Sequence, residues 1–325
     1  MPRAFMLDFA RVTEDAAIAS ARLVGRGDRH EADRVAVEAM RARLNKLELS
    51  GTVVIGEGER DEAPMLFIGE VVGNPEAKEQ FDIAVDPLEC TNSVAFGLGN
   101  AMSVLVVSPK GTLLHAPDLY MNKISVGPLA KDAVDLDKSV EANIRAVAKA
   151  LGKPVSEVTV IVLDRPRHES LIKEIRKTGA RIRLISDGDI SGAIAPSIEK
   201  SGIDLLLGIG AAPEGVLAAA ALKCLGGFMQ GRLQYKDEAQ RERARKMGIS
   251  NLDEKMNLDK LVRSNECIFI ATGITEGPFL EGVRFDSGKI TTQTIIMRAK
   301  TKTLRVLNAT HLAGDDEQKE EKREK

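Results

Sequence analysis

Three features of this sequence predict an α/β fold in which mixed sheets are covered by helices. From about residue 139 to 225, segments of helical length alternate with short runs rich in Val, Ile and Leu, the pattern of strands joined by covering helices. Ahead of that stretch, two helical segments precede a series of strand-like runs. Behind it, residues 266 to 311 hold strand-like segments punctuated by Gly turns. The halves differ in character, so a boundary is expected near residue 135. That divides the chain into an N-terminal half at 1–135, a C-terminal half at 136–314 and a charged, disordered tail at 315–325.

Taken in order, residues 5 to 24 predict a helix stopped by Gly25 and Gly27. A second helix runs from about His30 to Leu47. Its Val37, Met40, Leu44 and Leu47 lie three and four apart and share one face. "TVVIG" (52–56) predicts a short strand that runs into the acidic loop "EGERDEAP". Strands are expected at 81–86, 102–108 and about 120–126. The alternating region then predicts helix 139–151, strand 158–164, helix 168–178, strand 181–186, helix 189–200, strand 203–210 and helix 213–225.

Composition narrows the partners. The 325 residues are 43% hydrophobic and 29% charged, ordinary for a globular protein with a sizeable core. Trp is absent and aromatics are 3%, which argues against stacking on nucleic-acid bases. A net charge of −2 with mixed signs offers no basic field for DNA or RNA, so a small-molecule ligand is expected. Cys90, Cys224 and Cys267 are odd in number and far apart, which suits a reducing cytoplasm rather than a disulfide or zinc framework. The N-terminal "MPRAFMLDFARVTEDAA" lacks a signal-peptide core, and no apolar run reaches membrane-spanning length.

The informative pattern is acidic. Extending the stripe of the second helix back four residues lands on Asp33, an acid pointing to the core side or one held by the helix dipole. "GEGERDE" carries Glu57, Glu59, Asp61 and Glu62 between turn-forming glycines, either a ligand loop or a solvated one. In "FDIAVDPLECTNSVAFG" (81–97), Asp82, Ala84 and Asp86 share one strand face, Pro87 stops the ladder, and Glu89 follows. Asp86 and Glu89 would repel one another when partly buried, and no Lys or Arg in that stretch relieves them; a divalent cation would. Finally, "GIGAAPEGV" puts Glu214 behind a strand that ends in glycine, where α/β ligand sites form. An all-oxygen set suits Mg²⁺ or Mn²⁺, and two such ions suit phosphoryl transfer to water.

The motif "DPLECT" after a strand, preceded by "GEGE", resembles the lithium-sensitive, metal-dependent sugar phosphatase superfamily. "GTVVIGEGERDEAPMLFIGE", "HAPDLYMNK", "RPRHES", "DGD" and "GAAPEGV" together resemble the bacterial class II fructose-1,6-bisphosphatases over about residues 5 to 310. The resemblance implies a layered sugar-phosphatase fold. It also implies two or more divalent ions, Mn²⁺ or Mg²⁺, held by Asp33, Glu57, Asp86, Glu89 and Glu214. Its sugar-phosphate contacts fall on Glu89, Cys90, Thr91, Tyr120, Arg165, Pro166, Arg167, Asp187, Gly188, Asp189 and Ala211. The implied reaction is hydrolysis of the 1-phosphate of fructose 1,6-bisphosphate in a cytoplasmic homodimer or homotetramer. Thr91 would orient water, Asp61 or Asp33 would take its proton, and Arg165 and Arg167 would hold the distal phosphate. A dual enzyme that also takes sedoheptulose 1,7-bisphosphate, an inositol or nucleotide monophosphatase, and a catalytically weak sugar-phosphate-binding regulator are the alternatives.

The chain departs from the family at Cys90 and Ala211, where glycine is usual. Each glycine would let backbone N–H groups approach phosphate. Cys90 is therefore either a small residue that the loop tolerates or a thiol whose oxidation inhibits the site.

Overall fold

The computed structural model describes residues 5–58 and 65–312. Helices α1 (Met6–Ala21) and α2 (Arg29–Leu44) open the chain. Asp28 caps α2 by accepting the Glu31 N–H at 3.0 Å. Next come β1 (Ser50–Ile55), β2 (Val71–Gly73), β3 (Gln80–Glu89), α3 (Thr91–Phe96), β4 (Met102–Pro109) and β5 (Tyr120–Val126). The alternating region forms α4 (Val140–Leu151), β6 (Thr159–Leu163), α5 (Glu169–Thr178), β7 (Arg181–Ile185), α6 (Asp189–Ile194), β8 (Leu205–Ala211) and α7 (Ala212–Leu225). The chain continues through β9 (Phe228–Gln234), α8 (Glu238–Lys246), β10 (Met256–Asn257) and α9 (Leu258–Leu261). It closes with β11 (Ile268–Gly273), β12 (Arg284–Asp286), β13 (Lys289–Arg298) and β14 (Thr303–Leu312).

Among the described residues the strands form two mixed sheets, as the α/β reading requires. The eight-stranded sheet runs β12-β13-β11-β4-β3-β1-β2, with β14 also on β13; the six-stranded sheet runs β10-β9-β5-β8-β6-β7. Helices α1 and α2 cover the outer face of the first sheet around Phe9, Met40, Leu44, Ile83 and Leu105. Helices α4 and α5 cover the outer face of the second around Ile124, Val147, Val160 and Ile175. Between the sheets lie α6 and α7. Helix α7, "APEGVLAAAALKCL", is apolar on nearly every side because a sheet packs on each flank, and its alanines let the sheets come close.

Sheet membership does not follow chain order across residue 135. Strand β5 belongs to the six-stranded sheet, while β11 to β14 return to the sheet built by β1 to β4. Helix 189–200 is shorter than expected: α6 ends at Ile194 and passes into a 3₁₀ turn, Ala195–Ser197, because Pro196 cannot extend the α-helical ladder. The strand expected to stop before Pro87 instead continues to Glu89. A bulge between Asp86 and Glu89 carries Pro87 and Leu88 out of register with β4, so the missing N–H of proline disturbs no ladder bond.

That bulge sets up the site. It follows three residues, Asp82, Ala84 and Asp86, that face the inter-sheet layer, while Ile83 and Val85 face α1 and α2. Asp82 is a structural anchor: its Oδ2 accepts the backbone N–H groups of Thr112 at 2.7 Å and Leu113 at 3.0 Å, which fixes the turn after β4. The tail at 315–325 lies outside the described residues. No helix among those described is long and apolar enough to cross a membrane.

Candidate active site

A pocket of about 320 Å³ opens between the two sheets, at the ends of β1, β3 and β8. Asp33 enters from α2, Glu57 from the turn after β1, Asp86 and Glu89 from the bulged end of β3, and Glu214 from the first turn of α7. At least one acid from each of the four sequence segments therefore reaches one space, five in all. Cys90, Thr91, Asp187, Asp189 and Ala211 line it as well. So does Asp118, which sequence reasoning passed over although it lies in "HAPDLYMNK". Asp61, Glu59 and Glu62 fall outside the described residues.

The acids are electrostatically unfavourable as a group. Burial raises the pKa of Asp33; burial and then the Asp33 charge push Glu57 up to about 8. Burial raises Asp86 well above its ordinary value, helped by Glu89, Glu214, Glu57 and Asp33. Glu89 is raised likewise, against the Ile190 N–H that Oε1 accepts at 2.6 Å. Glu214 is pushed up to about 7 by burial and Asp189, with Lys123 opposing. Two buried oxygens, Glu89 Oε2 and Glu214 Oε2, have no hydrogen-bond partner. Among the described residues, no three metal-ligating side chains gather closely enough to hold an ion where they stand.

Lys123 of β5 is the cation that sequence reasoning missed. It is 1% exposed, pairs with Asp189 Oδ2 and donates to the Ala211 carbonyl at 3.0 Å. The Asp189 carboxylate lies so close to Gly210 that a Cβ there would stand 1.8 Å from Oδ2, so only glycine fits. Gly188 is equally constrained: its φ is +96°, and an added Cβ would meet Ser191 Oγ at 2.7 Å and Cys90 Sγ at 3.3 Å.

Arg165, Pro166 and Arg167 form the turn before α5, beside the pocket rather than in its floor. Arg167 donates through Nε and Nη2 to the Ile209 carbonyl at 2.9 and 2.8 Å and lies 4.8 Å from the centre of the Tyr120 ring. Arg165 Nη1 donates to the Asp164 carbonyl at 3.1 Å. Tyr120 is 38% exposed and pairs in register with Ala211, which puts the basic turn next to the carboxylates. Lys236, 5.4 Å from the same ring, adds a cation that no local motif signalled.

The two departures from the glycine pattern differ in consequence. Ala211 has φ −71° and ψ 148°, ordinary extended backbone with no strain. Cys90 has φ +68° and ψ 51°, a left-handed conformation. Its thiol is buried, and burial together with Glu89, Asp187 and Asp86 pushes its pKa far up. The reactive thiolate is thereby suppressed. Peroxide is therefore expected to inactivate wild type and Cys90→Gly at the same rate in a timed activity assay. The stability change should stay within about 1 kcal/mol, because relief of the left-handed strain is offset by the chain entropy of glycine.

With the geometry in place, comparison identifies the kind of molecule. The family model described as bacterial fructose-1,6-bisphosphatase, glpX-encoded, matches residues 3–311. The chain belongs to that family. A Synechocystis protein named D-fructose 1,6-bisphosphatase class 2/sedoheptulose 1,7-bisphosphatase is 46% identical over 329 residues, covering 94% of this chain and 95% of its own. A protein of the same name from Synechococcus elongatus is 46% identical over 338 residues, covering 97% and 98%. Among solved structures, an extragenic suppressor from Pyrococcus furiosus covers 59% of this chain and 68% of its own at 16% identity. Its TM-score is 0.31.

Proposed function

We propose that this protein hydrolyses the 1-phosphate of fructose 1,6-bisphosphate to fructose 6-phosphate and phosphate, using divalent cations. The observation that carries the reading is the pocket itself: acids from four distant segments face it, two of their buried oxygens lack partners, and a basic turn lies beside it. Carboxylate oxygens with no hydrogen-bond donor fit hard cations, and Asp33, Glu57, Asp86, Glu89 and Glu214 would hold Mg²⁺ or Mn²⁺. Such ions, when bound, supply a water of lowered pKa and neutralise charge on phosphoryl oxygens.

The chain's own groups do the rest. Thr91, whose Oγ1 donates to the Leu88 carbonyl at 3.2 Å, has a hydroxyl at the pocket wall that would orient the attacking water. Asp61 or Asp33 would accept its proton as general base. Arg165 and Arg167 would grip the distal phosphate, so the substrate is oriented by its non-reacting end. Asp187, Gly188 and Asp189 would face the sugar hydroxyls, with one oxygen of Asp189 already given to Lys123. Glu89, Cys90, Tyr120, Pro166 and Ala211 complete the substrate contacts.

A second reading is a dual enzyme that also accepts sedoheptulose 1,7-bisphosphate, for which both relatives are named. Its 7-phosphate would need the same basic turn. A cytoplasmic location fits three buried free thiols, and a homodimer or homotetramer is part of the same proposal. Phosphate release from fructose 1,6-bisphosphate, sedoheptulose 1,7-bisphosphate and inositol 1-phosphate, each with Mg²⁺ or Mn²⁺, tests the proposal. Turnover of a bisphosphate and little of the monophosphate is expected. Preference for inositol phosphate, or no release from any, contradicts it.

A further inference from the structure

His168 follows directly on the Arg165–Arg167 turn, is 1% exposed, and ties that turn to the end of β8. Strands β6 and β8 pair only at Val160 with Leu205 and Ile161 with Leu206. Beyond that point β8 stays paired with β5 but has no strand on its β6 edge, and side chains take that place. His168 Nε2 lies 2.7 Å from the Ile209 N–H, while Arg167 holds the Ile209 carbonyl. Consecutive residues of the turn therefore satisfy both backbone groups of Ile209, two positions before Ala211 at the pocket wall.

The tautomer follows from the partners. Ile209 N–H can only donate, so Nε2 accepts; Nδ1 then carries the proton and donates to the Leu163 carbonyl at 2.7 Å. The ring sits over Gly208, where an added Cβ would meet Nε2 at 3.1 Å. Burial lowers the pKa of His168, as do Arg167 and Arg165, against the Leu163 carbonyl and Asp189. The acceptor at Nε2 is therefore kept at neutral pH.

We propose that His168 is a positioning residue for the distal phosphate: by accepting the Ile209 N–H it locks the Arg165–Arg167 turn onto β8 and sets Arg167 at the rim. With Nε and Nη2 engaged on Ile209, Nη1 is left for an anion. This role rests on the functional reading above, in which the turn grips the phosphate that does not react.

The test uses two amide variants. In His168→Gln the amide oxygen reaches the place of Nε2 and restores the acceptor for Ile209. In His168→Asn the amide nitrogen takes the place of Nδ1 and restores only the bond to Leu163. Steady-state kinetics are measured with fructose 1,6-bisphosphate and with p-nitrophenyl phosphate, a monoester that has no distal phosphate. His168→Asn should raise KM for the bisphosphate about tenfold with kcat little changed, leave kcat/KM for the monoester unchanged, and be rescued in His168→Gln. Equal KM for the two variants, or equal losses on both substrates, overturns the proposal. If His168→Asn does not fold, a tenfold KM rise in His168→Gln overturns it and a KM near wild type supports it. Wild-type protein that releases no phosphate from the bisphosphate overturns the functional reading, and this role with it.

Discussion

Asp86→Asn is expected to lose more than about a hundredfold in phosphate release, while the metal-free protein melts at a higher temperature than wild type. Asp86 sits at the near side of the bulge that interrupts the pairing of β3 before Glu89, and Glu89, Glu214, Glu57 and Asp33 all raise its pKa on top of burial. A carboxylate so placed opposes folding. At low pH both folded and unfolded states are protonated and no penalty arises. As pH rises past 3.8 the unfolded chain ionises while the folded Asp86 resists, so stability falls through the window up to its raised folded-state pKa. Asparagine keeps the shape and carries no charge to bury. A gain of about 1 kcal/mol, or a few degrees in melting temperature, is expected at neutral pH in chelator. Loss of activity with loss of stability would instead mark Asp86 as a structural residue.

Lys123→Met is expected to destabilise the protein by about 3–5 kcal/mol, read as a lower urea midpoint. The ammonium is buried, pairs with Asp189 and also lowers the pKa of Glu214. Removing it leaves the Asp189 carboxylate pressed against Gly210 with no cation, beside acids that already repel. The double variant Lys123→Met/Asp189→Asn should recover most of that loss, because both charges are gone. It should remain poorly active, because the end of β8 loses the bond from Lys123 to the Ala211 carbonyl. A single variant within about 1 kcal/mol of wild type would contradict the pairing, since a buried charge stripped of its partner costs more than that.

The residues differed in how readable they were. Asp33 showed itself by falling on the apolar stripe of its helix, and the structure puts it between that stripe and the pocket. Asp86, Glu89 and Glu214 were visible because they stand at strand ends, where burial of charge needs a reason. Lys123 was not. Inside "YMNKISV" a lysine reads as an ordinary strand residue, and its partner lies 66 positions away. His168 was hidden for the same reason: its meaning depends on Ile209, 41 positions on. Local periodicity found most strands but could not say that β11 to β14 return to the first sheet, because sheet order is set by pairings such as Ile270 with Leu105. Pro87 misled the reading of β3, since proline ends a regular ladder but is accommodated in a bulge.

The central claim is that the pocket's carboxylates are strained in isolation because they are built to hold cations. It is tested most directly by thermal unfolding of wild type and Asp86→Asn, each in chelator and each with excess Mn²⁺ or Mg²⁺. A cation that binds only the folded state raises the melting temperature by mass action. The account predicts a clear metal-dependent rise for wild type and little or none for Asp86→Asn. An equal rise in both, or none in wild type, would contradict it.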